Sequence, residues 1–557
     1  MNERNPRLSQ DPKRESGPRP NSGWDSERRM RDIEATPFPS HAVQLLDDRA
    51  RQHANRPFLN FFDDQDVLSY GDVSHLTRRL ANGLSSRGIG KGTHVAVMVD
   101  TSRTYPLTWL ALSRLGAVTI PVNYRYTPRE LDFVLRDSQA THLVICSDFL
   151  TVLDGISNGA PLPRDNTIVA GHDVTGYVNW QNLFDENETG RTDQSSPDLD
   201  SPMNIQYTSG TTGFPKGAVL SHRYWLTFSR NGAAQFQDRL NRILVSQPFY
   251  YVDAQWLTLM ACWTGATAFV ARQMHSSRIL GWMREHRLEY CNFPEIVARQ
   301  PARGDDFLPD LVAMSCYSHR PENFPLYEKR YGGAARQGFS MTELGCVLYV
   351  PMEAKEMTGS GTVGIPVAFR EIDIRDSAGR SVADGQSGEI CVRGPGIFQG
   401  YFNNPEATTK AFHKGGWFRT GDLGRCNAEG WFWYLGRQKD MVRRSNENIS
   451  AVEVEQILRG VAEVLESAVV PVPDTTRGEE VKAYLILVPG TATGPELISK
   501  IFSHCDENLA PYKIPRYLEF INEFPRTPSQ KIKKSDLLSD KDDLTTGAWD
   551  RVQNQWN

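Results

Sequence analysis

The sequence predicts an α/β protein of at least two domains, in which layered, mostly parallel sheets and helices build the larger domain. The chain has 557 residues, more than the ~250–300 at which a single hydrophobic core stops growing. Short apolar runs suited to buried parallel strands alternate with segments of helical period. A composition of 39% hydrophobic and 23% charged residues is typical of a globular protein with a large core.

The strand candidates of the larger domain are apolar runs with helical patterns between them. Leu107, Leu110 and Leu115 recur at helical spacing and predict a helix over 105–115. Strands near 467–472 and 481–488, with a helix starting at Pro495, predict a small α+β domain toward the C-terminus. The candidate strands of the larger domain are 93–99, 141–146, 265–271 and 311–316.

Residues 1–37 are polar and nearly free of aliphatic side chains. Such a segment buries too little apolar surface to offset the entropy of ordering, so we predict a disordered tail. The chain has no apolar run near the ~18–20 residues that span a bilayer and no signal-peptide pattern, which predicts a cytoplasmic protein without an integral membrane segment. A net charge of −5 favours neither nucleic acid nor an anionic membrane as a partner.

The eight cysteines are scattered, without a CxxC pair or a His-rich neighbour. This pattern indicates neither a zinc site nor a disulfide framework, and it fits a reducing compartment. The positions are Cys146, Cys262, Cys291, Cys316, Cys346, Cys391, Cys426 and Cys505.

A loop rich in glycine and hydroxyl side chains, YTSGTTGFPKGAVLSH over 207–222, suits a polyphosphate. Its glycines let backbone N–H groups approach an anion, its hydroxyls donate hydrogen bonds, and its lysine adds a point charge. The spacing is not that of a Walker A loop, and the chain has no GxGxxG fingerprint. A surface loop without a ligand is the alternative. The candidate residues are Thr208, Ser209, Gly210, Thr211, Thr212, Gly213 and Lys216.

The sixteen-residue stretch resembles the phosphate-binding loop of the adenylate-forming superfamily, which contains acyl-CoA synthetases, peptide-synthetase adenylation domains and firefly luciferase. The resemblance covers about 38–540. It implies a disordered tail over 1–37, an N-terminal adenylate-forming domain over 38–436, a hinge over 437–440 and a small, mobile C-terminal lid domain over 441–557. It also implies ATP and Mg²⁺, with CoA as co-substrate.

A second segment, QGFSMTE over 337–343, resembles the family's GYGxTE motif. The resemblance implies that Phe339 stacks on adenine and that Glu343 binds Mg²⁺, a hard cation that takes carboxylate and phosphate oxygens. By the same resemblance, Thr208 and Glu343 are both catalytic and magnesium-binding residues. An N-cap cluster is the structural alternative. Gly338, Ser340 and Thr342 are the other nucleotide-binding residues of this segment.

A third segment, TGD over 420–422, and the GR pair that ends at Arg437 resemble the family's ribose site. By resemblance Asp422 binds the ribose hydroxyls and Arg437 contacts ribose or phosphate. The hinge residue of the family lies two positions after this arginine, which here is Lys439. Asn446 stands where the family has a glycine beside the pantetheine tunnel.

The last segment, FPRTPSQKIKK over 524–534, resembles the family's PRTxxGK motif. Its final lysine, Lys531, is by resemblance the catalytic lysine that reaches the carboxylate and the α-phosphate. Gln530 replaces the usual glycine. A solvated basic face is the alternative interpretation.

The acyl pocket is expected around QPFYYVDAQW, residues 247–256. Tyr250, Tyr251 and Trp256 predict an apolar, aromatic or otherwise bulky acid. Asp253 instead resembles the pattern of crotonobetaine/carnitine–CoA ligases, whose substrate is cationic, and a structural carboxylate is equally open. SCYSHRPENF over 315–324 replaces the family's glycine-rich adenine segment and brings bulk near the pocket.

These residues together imply an ATP-dependent carboxylic acid–CoA ligase. Its small-molecule acid attacks the α-phosphate of ATP, releases pyrophosphate and leaves an acyl-AMP, which CoA converts to a thioester. The alternatives are a stand-alone adenylating enzyme that loads a carrier protein, a betaine- or carnitine-type CoA ligase, and a nucleotide-binding regulator without catalysis. No carrier domain follows Lys531, and a homodimer is left open.

Overall fold

The structure is a computed structural model that describes residues 26–156, 159, 162–184, 197–208, 215–298, 300–317, 319–445, 447–527 and 531–557. The tail residues 1–25, the loop residues 209–214, Asn446 and Gln530 lie outside these ranges. No helix in the described part of the chain combines the length and apolar character that a bilayer crossing requires.

Helices occur along the whole described chain. Two of them begin at the capping boxes Ser69–Asp72 and Thr127–Glu130, in which each side chain satisfies the other residue's backbone N–H. The helices are α1 (Ser26–Ala35), α2 (Ala42–His53), α3 (Tyr70–Ser86), α4 (Thr104–Arg114), α5 (Pro128–Asp137), α6 (His222–Gln235), α7 (Val252–Thr264), α8 (Ile279–Glu285), α9 (Glu295–Ala298), α10 (Phe324–Tyr331), α11 (Pro405–Lys410), α12 (Ala451–Leu458), α13 (Pro495–Asn508) and α14 (Lys534–Ser539).

The predicted strands all form: the four of the large domain lie within the apolar runs that predicted them, and the two of the small domain extend beyond theirs. The strands are β1 (Pro57–Phe61), β2 (Asp66–Ser69), β3 (His94–Met98), β4 (Val118–Pro121), β5 (His142–Cys146), β6 (Thr167–Ala170), β7 (Val178–Asn179), β8 (Pro202–Thr208), β9 (Lys216–Ser221), β10 (Arg242–Val245), β11 (Thr267–Val270), β12 (Tyr290–Asn292), β13 (Ala313–Ser315), β14 (Ala334–Arg336), β15 (Gly338–Met341), β16 (Gly345–Tyr349), β17 (Thr362–Pro366), β18 (Glu371–Arg375), β19 (Ser387–Arg393), β20 (Phe412–His413), β21 (Trp417–Cys426), β22 (Phe432–Arg437), β23 (Met441–Arg444), β24 (Glu447–Ser450), β25 (Val464–Asp474), β26 (Gly478–Leu487), β27 (Tyr517–Phe520), β28 (Trp549–Asp550) and β29 (Gln555–Trp556).

Two mostly parallel sheets form the centre of the large domain, as the sequence predicts. Within the described residues, one has the strand order β7-β6-β5-β3-β4-β8-β9 and the other β14-β13-β12-β10-β11-β1-β2. Only the edge pairs β8–β9 and β1–β2 are antiparallel among them. Buried side chains from both sheets and from α2, α3, α4, α6 and α7 share one hydrophobic cluster, so the sheets are layered on shared helices. Other buried side chains of the two sheets form two further clusters.

A third sheet of the large domain was not predicted from the sequence. Its order is β15-β16-β17-β22-β21-β19-β18, with β20 paired to β21, and its described pairings are antiparallel. Its strands lie in the region 338–437, and β15, β21 and β22 are only partly buried. Continuous apolar runs indicate buried parallel strands, and the partly buried strands β15, β21 and β22 lack such runs.

The small domain is the predicted α+β unit. Its sheet has the order β24-β23-β26-β27-β28-β29, with β25 paired to β26. The helices α12 and α13 cover it, and its core cluster is separate from that of the large domain. Ser450 accepts a hydrogen bond from the backbone N–H of Glu453 and caps the start of α12.

The N-terminal segment differs from the predicted tail. Residues 26–35 form α1, and its Met30 and Ile33 are buried against Ile365 and Trp431 of the large domain. Arg29 Nη2 lies 2.7 Å from Glu353 Oε1. Two apolar side chains one turn apart suffice to dock a short helix, although its composition is that of a disordered segment.

Candidate active site

The predicted phosphate loop connects the two strands of a hairpin. Thr208 at the end of β8 is paired in register with Lys216 at the start of β9. The Thr208 hydroxyl donates to the Lys216 carbonyl over 3.4 Å. The hairpin therefore holds both residues at the base of the loop. The predicted loop ligands Ser209, Gly210, Thr211, Thr212 and Gly213 lie outside the described residues.

Tyr401 joins Lys216 to Glu343. The Lys216 Nζ lies 5.1 Å from the centroid of the Tyr401 ring, a cation–π distance. The Tyr401 hydroxyl donates to Glu343 Oε1 over 2.8 Å. Main-chain hydrogen bonds hold the segment around Tyr401 alongside β9. Burial, and then the Glu343 carboxylate, raise the pKa of Tyr401, so the hydroxyl remains a donor.

Glu343 and Thr208 fit a magnesium ion. Glu343 is 7% exposed, and the hydrogen bond from Tyr401 fixes one of its oxygens. Magnesium typically takes one or two carboxylates and fills its other positions with phosphate oxygens and water. One oriented carboxylate and one hydroxyl at the base of a phosphate loop match that requirement.

The residues that the sequence predicts to bind ribose and adenine lie together on the antiparallel sheet. The rings of Phe339 and Tyr434 are stacked at 6.0 Å between centroids. The Tyr434 hydroxyl donates to Asp422 Oδ1 over 3.5 Å, and Arg437 Nε lies 3.4 Å from the same oxygen. Asp422 and Arg437 are cross-strand partners on β21 and β22. The pairing of these strands thus joins two motifs that are fifteen positions apart in the sequence.

The carboxyl group of Asp422 is buried and has a raised pKa. The carboxylate is 3% exposed, and burial raises its pKa to about 6 although Arg437 opposes the shift. Two sugar hydroxyls would supply the hydrogen bonds that an ionised buried carboxylate needs.

The remaining residues of the QGFSMTE segment lie on or just after β15. Ser340 is exposed and Thr342 half-buried. A Cβ added to Gly338 would lie 2.7 Å from the carbonyl oxygen of Leu348 on β16, so only glycine fits this close strand pairing. This part of the segment is accessible to a nucleotide.

Lys531 reaches the same cleft from the small domain. Its backbone N–H donates to the Thr527 hydroxyl over 3.2 Å, and its carbonyl accepts from the Thr527 N–H over 2.8 Å. The Lys531 side chain is exposed to solvent in the cleft. Its pKa is lowered, first because the cleft walls partly desolvate it and then because the positive charge of Arg437 is near. The three acidic side chains Asp253, Asp422 and Glu343 oppose that shift. The structure therefore brings the predicted catalytic lysine to the predicted ribose, magnesium and acyl sites.

The predicted acyl pocket contains a carboxyl group among aromatic rings. The Tyr250 and Tyr251 rings lie 4.5 Å apart, and Tyr250 packs edge-on against Tyr124 at 5.3 Å. Asp253 Oδ1 accepts from Asn292 Nδ2 over 3.4 Å. Enclosure raises the pKa of Asp253, while a hydrogen bond from the Trp256 side chain and the charge of Lys531 oppose the shift.

Trp256 is mainly a core side chain. It is 4% exposed, and its ring stacks on Phe228 at 4.9 Å. Trp256 therefore contributes a hydrogen bond to Asp253 and no exposed apolar surface to the pocket. Of the two bulky residues in SCYSHRPENF, Tyr317 lies near enough to Asp253 for the carboxylate to raise the pKa of its phenol, after the larger effect of burial. His319 is buried, with Nε2 2.8 Å from the Phe293 carbonyl.

The predicted hinge residue Lys439 lies in the short turn Gln438–Asp440. This turn joins β22 of the large domain to β23 of the small domain. The position suits a hinge, and rotation about it stays a prediction.

Tyr401 and Tyr434 are site residues that the sequence reasoning missed. Each orients a predicted carboxylate, Tyr401 binding Glu343 and Tyr434 binding Asp422. No local sequence motif marks such a tyrosine, because the pairing of separate segments decides which group its hydroxyl contacts. The offset of Tyr434, three positions before Arg437, would have placed it near the ribose motif.

Comparison with known proteins agrees with this geometry. Residues 46–402 match the family described as AMP-binding enzyme, and residues 453–531 match the AMP-binding enzyme C-terminal domain. The chain belongs to the AMP-binding enzyme family. It is an AMP-forming acyl-CoA synthetase, a class of enzyme that uses ATP, Mg²⁺ and CoA.

Individual relatives cover nearly the whole chain. The crotonobetaine/carnitine–CoA ligase of Citrobacter koseri is 30% identical over 522 residues, which are 89% of this chain and 98% of the relative. Two solved structures share the fold. An anthranilate CoA ligase in complex with anthranoyl-AMP is 23% identical with a TM-score of 0.78, covering 91% of this chain and 98% of its own. ATP-bound MatB from Rhodopseudomonas palustris is 24% identical with a TM-score of 0.78, covering 90% and 99%.

Proposed function

We propose that this enzyme is a cytoplasmic CoA ligase for a small carboxylic acid that carries a cationic group, of the betaine type. The observation that carries the proposal is the carboxylate of Asp253 inside the acyl pocket. Curated relatives with 30% identity are named crotonobetaine/carnitine–CoA ligases, which supports the same substrate class. Their printed names describe those proteins, so the substrate of this chain has to be argued from its own pocket.

The environment of Asp253 favours a cationic ligand. Among the described residues, no lysine or arginine is within ion-pair distance of this carboxylate, and Lys531 acts on it only through longer-range charge. A buried carboxylate is costly unless a positive charge or hydrogen bonds stabilise it. An ammonium group on the substrate would supply that charge.

The aromatic side chains around Asp253 support the same conclusion. Tyr317 lies near enough to Asp253 for the carboxylate charge to act on its phenol, and Tyr250 and Tyr251, whose rings lie 4.5 Å apart, precede Asp253 in the same segment. A quaternary ammonium is attracted to aromatic faces and has no N–H to donate, so rings and one carboxylate form a suitable cage. The same rings favour the second candidate, an apolar or aromatic acid, which would contact them without needing Asp253.

The reaction follows from the placement of Lys531, Glu343 and Asp422. Asp422 binds the ribose hydroxyls, and Lys531 donates hydrogen bonds to the substrate carboxylate and an α-phosphate oxygen, which aligns two anions that repel in water. A magnesium ion held by Glu343 and Thr208 would neutralise phosphate charge. The carboxylate oxygen bonds to the α-phosphorus as the bond to pyrophosphate breaks. Rotation about the turn that contains Lys439 then admits CoA, whose sulfur bonds to the acyl carbon while AMP leaves and the thiol proton passes to solvent.

The proposal is tested by comparing two acids of the same shape and different charge. One carries a trimethylammonium group and the other an isosteric tert-butyl group, and AMP release is measured with and without CoA. The wild type should prefer the cationic acid. Asp253→Asn should lower kcat/KM for that acid by about tenfold to a hundredfold and leave the neutral acid nearly unchanged, because a desolvated charge contact is lost only with the cation.

Glu406→Gln, which removes an exposed carboxylate of the same domain, is the matched control and should change neither value. An equal loss for both acids would make Asp253 a structural residue. A preference for aromatic acids would favour the second candidate. Adenylate formation that is indifferent to CoA would instead favour a stand-alone adenylating enzyme that loads a carrier protein.

A further inference from the structure

One face of the antiparallel sheet collects three side chains that are typical metal ligands. Glu389 and Cys391 are two positions apart on β19, so they lie on the same face. His413 belongs to β20, which pairs with β21, the neighbour of β19. Within the described residues, ligand atoms of these three side chains lie within 4.8 Å of one another. No local motif predicts this group, because Cys391 and His413 are separated by twenty-one residues.

The burial of this group is suited to holding an ion. Cys391 is 0% and Glu389 5% exposed. The Nε2 of His413 is buried and has no hydrogen-bond partner among the described residues, and it lies 3.7 Å from Glu389 Oε2. A buried polar atom without a partner is costly. A cation between these atoms would satisfy the imidazole nitrogen and use the carboxylate oxygen and the sulfur at once.

Neighbouring charges permit a divalent cation. Arg419 Nε lies 3.2 Å from Glu389 Oε2, so the carboxylate already faces one positive charge. Asp373 is the cross-strand partner of Cys391 on β18, and its charge is matched by Arg375, whose Nε lies 3.0 Å from Asp373 Oδ2. The thiolate of Cys391 and the carboxylate of Glu389 would supply two negative charges to a divalent ion, and Arg419 shares the Glu389 carboxylate.

We propose that Glu389, Cys391 and His413 bind one zinc ion. Sulfur and imidazole donors favour zinc over magnesium, and zinc also accepts a carboxylate. Three protein ligands leave a fourth position for water. The Cys391 thiol releases its proton to solvent as the sulfur–zinc bond forms. The site is distinct from the magnesium site at Glu343, which contains only oxygen donors.

Zinc at this site would brace the ribose-binding turn. The other oxygen of the same carboxylate, Glu389 Oε1, accepts the backbone N–H of Gly421 over 3.0 Å. Gly421 immediately precedes Asp422 and has a φ of +69°, a conformation that favours glycine. A metal that fixes Glu389 therefore fixes the turn that aims Asp422, so its role is structural and independent of which acid the enzyme activates.

The experiment measures metal binding by the full-length purified enzyme. The protein is stripped with a chelator, dialysed against zinc, and analysed for bound metal by mass spectrometry. We expect about one equivalent of zinc and a higher melting temperature, because a ligand that binds the folded state stabilises it. Cobalt in place of zinc should show a sulfur-to-metal charge-transfer band, which reports directly on Cys391.

Cys391→Ser and His413→Ala should each lose the bound zinc and the melting-temperature increase, and Cys391→Ser should lose the cobalt band. Cys291→Ser and His142→Ala are the controls, because they alter a buried cysteine and a mostly buried histidine of the two parallel sheets; both should retain zinc. The proposal is overturned if the wild type binds no zinc, or if zinc persists in the double variant at Cys391 and His413. Far-ultraviolet circular dichroism identifies a variant that has not folded, and Glu389→Gln then serves as the replacement.

Discussion

The guanidinium of Arg320, in the large domain, donates to the main-chain carbonyl of Gln456, in the small domain, over 2.8 Å. It also donates to the carbonyl of Arg459 over 3.2 Å. Both carbonyls belong to the C-terminal end of α12, where a cation is favoured by the helix dipole. Arg459 in turn lies 3.6 Å from Glu295. These contacts hold the small domain in the orientation that places Lys531 in the cleft.

Arg320→Ala should therefore slow adenylation more than thioester formation. Losing charge-assisted hydrogen bonds at this junction lowers the population of the orientation shown here. A change of about 1 kcal/mol alters an equilibrium about fivefold, so acid-dependent pyrophosphate exchange should fall by about that factor. Arg284→Ala, which removes a large-domain arginine bonded to Asp305, should have no effect. If both half-reactions slow equally, the junction does not select between orientations.

Lys531→Ala should abolish adenylation while sparing the second half-reaction. Lys531 supplies positive charge where the two anions meet, and losing one such donor typically costs about a hundredfold or more. Pyrophosphate exchange should show this loss. Conversion of chemically prepared acyl-AMP to the CoA thioester should be nearly unchanged. Lys533→Ala, which removes a nearby lysine paired with Asp536 at 3.0 Å, should behave as wild type in both assays. Unchanged pyrophosphate exchange in the Lys531 variant would contradict the assigned role.

Asp422 predicts a pH dependence of nucleotide use. Its pKa is raised to about 6, so the carboxyl becomes protonated and loses acceptor capacity as the pH falls through that value. The kcat/KM for ATP should decrease below about pH 6, because this parameter reports the free enzyme. Asp422→Asn should lower kcat/KM for ATP at all pH values and remove this acidic limb. A limb that persists in the variant belongs to another group.

The same residue predicts a trade-off between binding and stability. A raised pKa means that the folded, nucleotide-free protein disfavours the ionised carboxylate. The cost is absent below the unfolded pKa, appears as the pH rises toward about 6, and remains above it. Asp422→Asn should therefore raise the melting temperature of the nucleotide-free enzyme near neutral pH, by an effect on the order of 1–3 kcal/mol. The difference should vanish near pH ~4, and a variant that is less stable at neutral pH would contradict the prediction.

Tyr401→Phe should weaken the magnesium dependence without removing a ligand. The variant keeps the ring against Lys216 and loses only the hydrogen bond that orients Glu343. Residues that orient metal ligands typically contribute about tenfold to a hundredfold in metal affinity. The magnesium concentration for half-maximal pyrophosphate exchange should rise by about tenfold. Tyr331→Phe, at a buried tyrosine that donates to the Val297 carbonyl, is the control. Equal magnesium requirements in wild type and variant would remove Tyr401 from the site.

Much of the candidate site is local in the sequence and was predictable for that reason. Thr208 and Lys216 lie at the two ends of one hairpin, and Phe339 and Glu343 lie within one short segment. Residues that are a few positions apart stay close together in the folded chain, so the spacing within such a motif predicts how its side chains are placed. Tyr401 was missed because its partner Glu343 is 58 positions away, and Tyr434 was missed because its partner Asp422 is reached only through the pairing of two strands.

The sequence by itself determined the family, the parallel sheets and the identity of the chemical groups. Those features depend on apolar periodicity and on motifs of a few residues, whose signal is local. Only the tertiary structure decided which groups come together: Lys531 in the cleft that contains Asp253, Tyr401 on Glu343, and His413 near Cys391. Such contacts depend on strand register and domain docking, which the packing of the whole chain selects and which no local pattern records.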